Sequence, residues 1–197
     1  MTPLRLLVNA IVGGFLFFAW SALASLVLHL DQSGLERLAH EPEVQAALRE
    51  HVPESGLYAF PARTLGAESE AERLERVRRG PSGLLLVHPA GREPESSLRY
   101  LALYAADFLL ALAAGFLLWL AAPRVRTFPW RVFFVAAVGG AGGLSALLPL
   151  WSEQGAPAAF VLGLLARDVL GFTLVGLFLA WRMKGLVPLP RSTPRPR

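Results

Sequence analysis

Residues 164–172 read Leu164-Leu165-Ala166-Arg167-Asp168-Val169-Leu170-Gly171-Phe172, which sets a cation and an anion side by side in an otherwise apolar stretch. Whether that stretch is a core helix of a soluble domain or a span of a bilayer decides the fold. The apolar run around it extends from about 158 to 181, which matches the roughly 20 residues a helix needs to cross a hydrocarbon core. Three more windows of the same kind lie at about 6–28, 100–122 and 132–151. Of the 197 residues 54% are hydrophobic, and they gather in long runs instead of alternating with polar ones. The spacing therefore predicts an all-α membrane protein with four transmembrane helices.

Between the first two windows, residues 31–98 hold twelve acidic and eight basic side chains, so this stretch is expected to be a small solvated α/β domain inserted between helices one and two. The domain reading is 1–30 for the first span, 31–98 for the inserted domain, 99–184 for the other three spans and 185–197 for a basic, proline-rich tail. The net charge is +4, but the basic residues flank the apolar runs and do not form one patch with aromatics between them. Nucleic acid is not an expected partner. The absence of cysteine excludes a disulfide framework, a thiolate nucleophile and Cys-ligated metal.

Charge at the span ends gives an orientation. Arg124, Arg126 and Arg131 follow the second span, and Arg182, Lys184, Arg191, Arg195 and Arg197 follow the fourth. The positive-inside rule puts both ends in the cytoplasm and the inserted domain outside. The third connection, Ser152-Glu153-Gln154-Gly155, carries no cation and belongs outside too. Trp119, Trp130, Trp151 and Trp181 fall near span ends, where indoles favour the interface. Ala22-Leu23-Ala24 has the small-x-small form of a signal-peptidase site, so a cleaved leader is the alternative to a retained first span. The run continues through Leu28 and exceeds the usual length of a leader's apolar region, which favours retention.

Helices in lipid close on one another largely through small residues. Gly139 and Gly143 stand four apart in the third span, Ala111 and Gly115 in the second, and Ala10 and Gly14 in the first. These are expected helix-packing positions, with Gly139 and Gly143 alternatively a face for dimerisation or a partner subunit. The charged residues of the spans are Asp107, Arg167 and Asp168. Neighbours on a helix leave it about 100° apart, so Asp168 is a poor sole partner for Arg167. Asp107 lies seventeen residues before Arg124 and Arg167 fifteen before Arg182, which places both about 22–26 Å from the inner boundary. The expected arrangement is an intramembrane charge layer in which Asp107 pairs with Arg167 and Asp168 turns toward the outer domain. A proton or ion relay through Asp107 and Asp168, or an anion anchor at Arg167, is the functional alternative.

In the inserted domain Pro42 opens a helix to about His51. Gly56–Pro61 and Gly83–Pro89 read as strands. The charged run from Glu68 to Arg79 suits an exposed helix with Glu72/Arg76 and Glu75/Arg79 pairs. The Gly56-x-Tyr58-x-x-Pro61 segment, the Gly80-Pro81-x-Gly83 turn and the span arrangement resemble a family of uncharacterised bacterial inner-membrane proteins. Members have an N-terminal span, a periplasmic insert and three further spans. The resemblance covers most of the chain and implies a bacterial inner-membrane location and this topology. It implies no reaction, cofactor or catalytic residue.

The sequence carries no catalytic constellation. Gly143-Leu144-Ser145-Ala146 resembles the nucleophile segment of rhomboid-type intramembrane proteases, but no span interior contains the His or Lys that would take the serine proton. The same lack removes axial ligands for haem. His40, His51 and His88 with Glu41, Glu43 and Glu54 follow no metal-ligand spacing, and no glycine-rich phosphate loop opens a helix. No cofactor or metal is expected. The tail after Gly185 holds four prolines and is expected to be extended and disordered, attracted to anionic lipid. The sequence thus points to a non-catalytic accessory or assembly subunit. It would contact a protein partner or a second copy through the outer domain and the glycine face. A small transporter or ion-coupled protein using Asp107, Arg167 and Asp168 is the alternative.

Overall fold

The computed structural model describes residues 2–62, 69–91, 93 and 96–183. The expectations for Lys184, for the tail and for the Glu68 end of the charged run lie outside them. Eight elements follow in order: α1 (Pro3–Leu26), α2 (Glu41–His51), β1 (Gly56–Phe60), α3 (Glu70–Arg79), β2 (Gly83–Val87), α4 (Ser97–Ala121), α5 (Phe128–Ser152) and α6 (Ala158–Arg182). Among them α1, α4, α5 and α6 have the length and apolarity to cross a membrane, with mean hydropathies of 1.8 to 2.1. The chain is a multi-pass membrane protein by that criterion. It divides into two units, Met1–Leu35 with Ser96–Arg197, and Glu36–Glu95.

In the helical unit α1 packs on both α4 and α6, α5 packs on α6, and α4 meets α5 more slightly. Small residues make the close approaches. A Cβ on Gly14 would stand 2.6 Å from the Cα of Phe108, a distance at which one backbone must move, so α1 and α4 touch there only because the side chain is missing. The core is Phe17, Ala111, Ala114, Leu118, Val135, Phe172, Val175, Leu179 and Met183. Phe17 contributes from α1 and meets Phe172 edge-on at 5.0 Å, so the first span is packed as a member of the bundle.

Two boundaries differ from the sequence reading. Residues up to Leu35 belong with the helices, not with the inserted domain. His29 takes a left-handed φ of 51° after α1, and the turn beyond it brings the Leu30 carbonyl against Gly163 and Gly34 close to Pro157 and Ala159. The start of α5 is the second difference. Pro129 sits in its first turn, where a missing N–H is harmless, so the helix begins at Phe128 and takes in Arg131. That arginine was expected among the solvated cations of the connection; it is 2% exposed.

In the unit Glu36–Glu95, β1 and β2 pair antiparallel with Leu57 opposite Leu86 and Ala59 opposite Leu84. Ser69 and Glu72 form a reciprocal capping box at the start of α3. The Ser69 N–H and hydroxyl both donate to Glu72 Oε2 at 2.8 Å. Glu72 is thereby committed to the cap, while Arg79 and Glu75 make the expected pair at 3.2 Å and Arg73 pairs with Glu70 at 2.6 Å.

Candidate functional site

The polar groups embedded in the apolar helices gather in two places. The first is around Arg167 on α6. Its Nε and Nη2 donate to Asp168 Oδ1 at 3.0 and 2.9 Å, so the guanidinium folds round the helix onto its sequence neighbour. This corrects the expected Asp107–Arg167 pair. Neighbouring positions diverge by about 100°, but the long arginine stem bridges that angle, and in an apolar setting the nearest carboxylate is the natural partner. Both side chains are partly buried, 29% and 22% exposed. The Asp168 carboxylate faces α5: a Cβ on Gly143 would lie 3.6 Å from its Oδ2. From α1, Trp20 Nε1 donates to the Arg167 carbonyl at 2.8 Å, a partner the sequence reading did not single out.

Asp107 stands apart from this pair. A Cβ on Gly13 would touch both Ala111 and Val175, and Gly115 sits beside Leu179, which puts Ala111 level with Val175 along the bundle. Asp107, one turn before Ala111, is then level with Gly171, one turn from Arg167, or about 6 Å. Counting from the arginines erred because α4 ends at Ala121, so Arg124 is not a helical position and does not match the height of Arg182. Half-buried on the same stripe of α4 as Ala111, Asp107 has no hydrogen-bond or ion-pair partner among the described residues.

The second group lies at the opposite end of the helices. Arg131 Nε donates to the Val125 carbonyl at 3.0 Å and Nη1 to the Met183 carbonyl at 2.8 Å. Arg182 Nε donates to Asn9 Oδ1 at 3.0 Å, and Asn9 is 2% exposed. The sequence reading passed over Asn9 and took Arg131 only as a cation of the connection. The signal was present: Arg131, Val135, Gly139 and Gly143 recur every four residues and are the buried stripe of α5.

The small-residue positions are all used inside the chain. Gly139 lies against the Phe172 side chain and Gly143 against Leu165, while Ala111 faces Gly13 and Gly115 faces Leu6 and Leu179. Gly139 and Gly143 are therefore covered by α6 and are not an open partner face. Ser145 is exposed on α5. His40 Nδ1 meets Glu43 Oε2 at 3.0 Å, and among the described residues no three His, Asp or Glu side chains stand close enough to hold a metal.

The third feature is the two-stranded sheet. Side chains of paired strands alternate between faces, so Leu57, Ala59, Leu84 and Leu86 share one. Leu57 is 67%, Leu84 46% and Leu86 65% exposed. The reverse face holds Val87, which is buried. No family model, curated protein or solved structure matches the chain.

Proposed function

We propose that this protein is a non-catalytic accessory or assembly subunit of a bacterial inner membrane, and that its extracytoplasmic unit Glu36–Glu95 holds a partner protein. One observation carries the reading: the bare apolar face of the sheet. A solvated sheet face is normally polar, and a lone strand pair is marginal in water without something packed on it. Exposed leucines on paired strands mark a surface that is covered in the working assembly. Residues 31–98 carry twelve acidic against eight basic side chains. That balance disfavours both an anionic lipid surface and a second copy, and favours a different protein with a basic rim. Because α6 fills the glycine stripe, the partner contact rests on the strand face alone.

Leu57→Glu with Leu86→Glu tests this. The full chain purified in a mild nonionic detergent is expected to bring a stoichiometric partner, and the double variant to lose it while keeping its helical content. A wild-type chain that purifies as a monomer, or a complex indifferent to both glutamates, contradicts the reading. A homodimer broken by the same changes would assign the face to self-association.

A second reading, ion coupling, is favoured by Asp107. An ionisable group inside a span with no protein partner is a functional candidate by default. Here Asp107→Asn would leave the fold intact and abolish proton or cation flux in reconstituted vesicles; flux absent from the wild type removes the idea.

A further inference from the structure

The strand pair of the unit Glu36–Glu95 has edges as well as faces, and the edge of β1 is unguarded. β1 and β2 pair residue for residue over all five positions, with no bulge. In such a ladder every second residue turns its N–H and C=O to the neighbouring strand and the others turn theirs outward. Among the described residues no main-chain hydrogen bond leads from β1 to anything but β2. Sheets shield an edge with a charged side chain, a proline, a bulge or a covering element. The sequence of β1, Gly56-Leu57-Tyr58-Ala59-Phe60, has none of the first three, and Leu57, Tyr58, Ala59 and Phe60 are all exposed. β2 is better covered, with Leu85 half-buried and Val87 buried.

Water satisfies the outward groups of β1 while the strand is bare. A protein that covers Leu57 and Ala59, which lie on β1 itself, takes that water away, and a main-chain N–H or C=O shut in without a partner is strongly unfavourable. The covering protein therefore has to bring main-chain groups of its own, and an extended segment presents them at strand spacing. A third strand also carries the sheet past the two-stranded size that is marginal in water. Pro53 and Pro61, which have no N–H to offer, bracket the strand and limit the added segment to about its length. Exposed Glu54 stands two residues before β1, and exposed Glu50 precedes it at the end of α2, so a basic end on the segment fits that side.

We propose that a different protein adds an extended segment to the edge of β1 as the third strand of this sheet, with apolar side chains on the face shared by Leu57, Ala59, Leu84 and Leu86 and a basic residue beside Glu54. The proposal rests on the partner reading above and names the kind of segment that the partner contributes.

The test is amide hydrogen exchange resolved to single residues, on the full chain purified in a mild nonionic detergent with the protein it retains and on the same chain separated from that protein by ion exchange. In the free chain the outward amides of both strands are expected to exchange without protection. In the complex those of β1 should slow about tenfold or more, as a new main-chain hydrogen bond requires, while those of β2 stay fast. A retained protein that leaves the outward amides of β1 fast overturns this inference and leaves the partner reading standing. Slowing on the outward amides of β2 instead also overturns it. Slowing in the isolated chain as its concentration is raised would make the occupant a second copy and overturn the choice of a different protein. If no protein is retained, the partner reading fails and this inference falls with it.

Discussion

The Arg167 side chain has one nearby carboxylate on its own helix and another, Asp107, about one turn away on a different helix, and it takes the first. A double-mutant cycle separates the two. Arg167→Gln and Asp168→Asn should each lower the unfolding temperature in detergent, and the double change should fall short of their sum, with a coupling of about 0.5–3 kcal/mol. Arg167→Gln combined with Asp107→Asn should be additive within about 0.5 kcal/mol. Strong coupling in the second cycle and none in the first would reverse the assignment. The sequence showed which residues are embedded and charged, because each interrupts an apolar run. It could not show the pairing. That depends on how a flexible three-carbon stem resolves a 100° divergence and on the relative height of two helices, neither of which is written in local spacing.

At the scale of elements the glycine stripe of α5 makes a sharp distinction between neighbours. A Cβ at Gly139 would overlap the base of the Phe172 side chain, while one at Gly142 meets nothing within 4 Å. Gly139→Ala should therefore destabilise the chain by about 1–3 kcal/mol, and Gly142→Ala should leave its melting unchanged; equal effects would show that α5 and α6 pack otherwise. Helix α3 has a pH signature. The Ser69 backbone N–H, then its hydroxyl, hold the Glu72 carboxyl below its ordinary value of 4.5. A depressed carboxyl stabilises the helix above its unfolded pKa, so α3 should begin to fray as pH falls below about 4.5 and go on fraying through the lowered native value. Glu72→Gln can still accept the Ser69 N–H bond, and amide exchange at the start of α3 should then lose this acid sensitivity. The spans were legible from the length of their apolar runs, the strands from their Gly and Pro boundaries, and the two short helices from Pro42 and from the i,i+4 charge pattern. The first turn of α5 was not. Arginine reads as solvated until Pro129 is taken as the start of the helix, which puts Arg131 on the same stripe as Val135 and Gly139.

At the scale of the whole molecule the proposed partner role of Glu36–Glu95 requires that unit and the α4–α5 turn to lie on opposite sides of the bilayer, as the positive-inside rule leads one to expect. The apolar runs establish four helices long and apolar enough to cross, and the cation distribution gives the direction to be tested. The chain contains no cysteine, so single cysteines report position without background. Cysteine placed at Ser55 or at Ser152 should react with a membrane-impermeant maleimide on intact cells, and cysteine at Arg126 only after the membrane is opened. Labelling of Ser55 and Arg126 positions from the same side, or from sides opposite to these, would contradict the account.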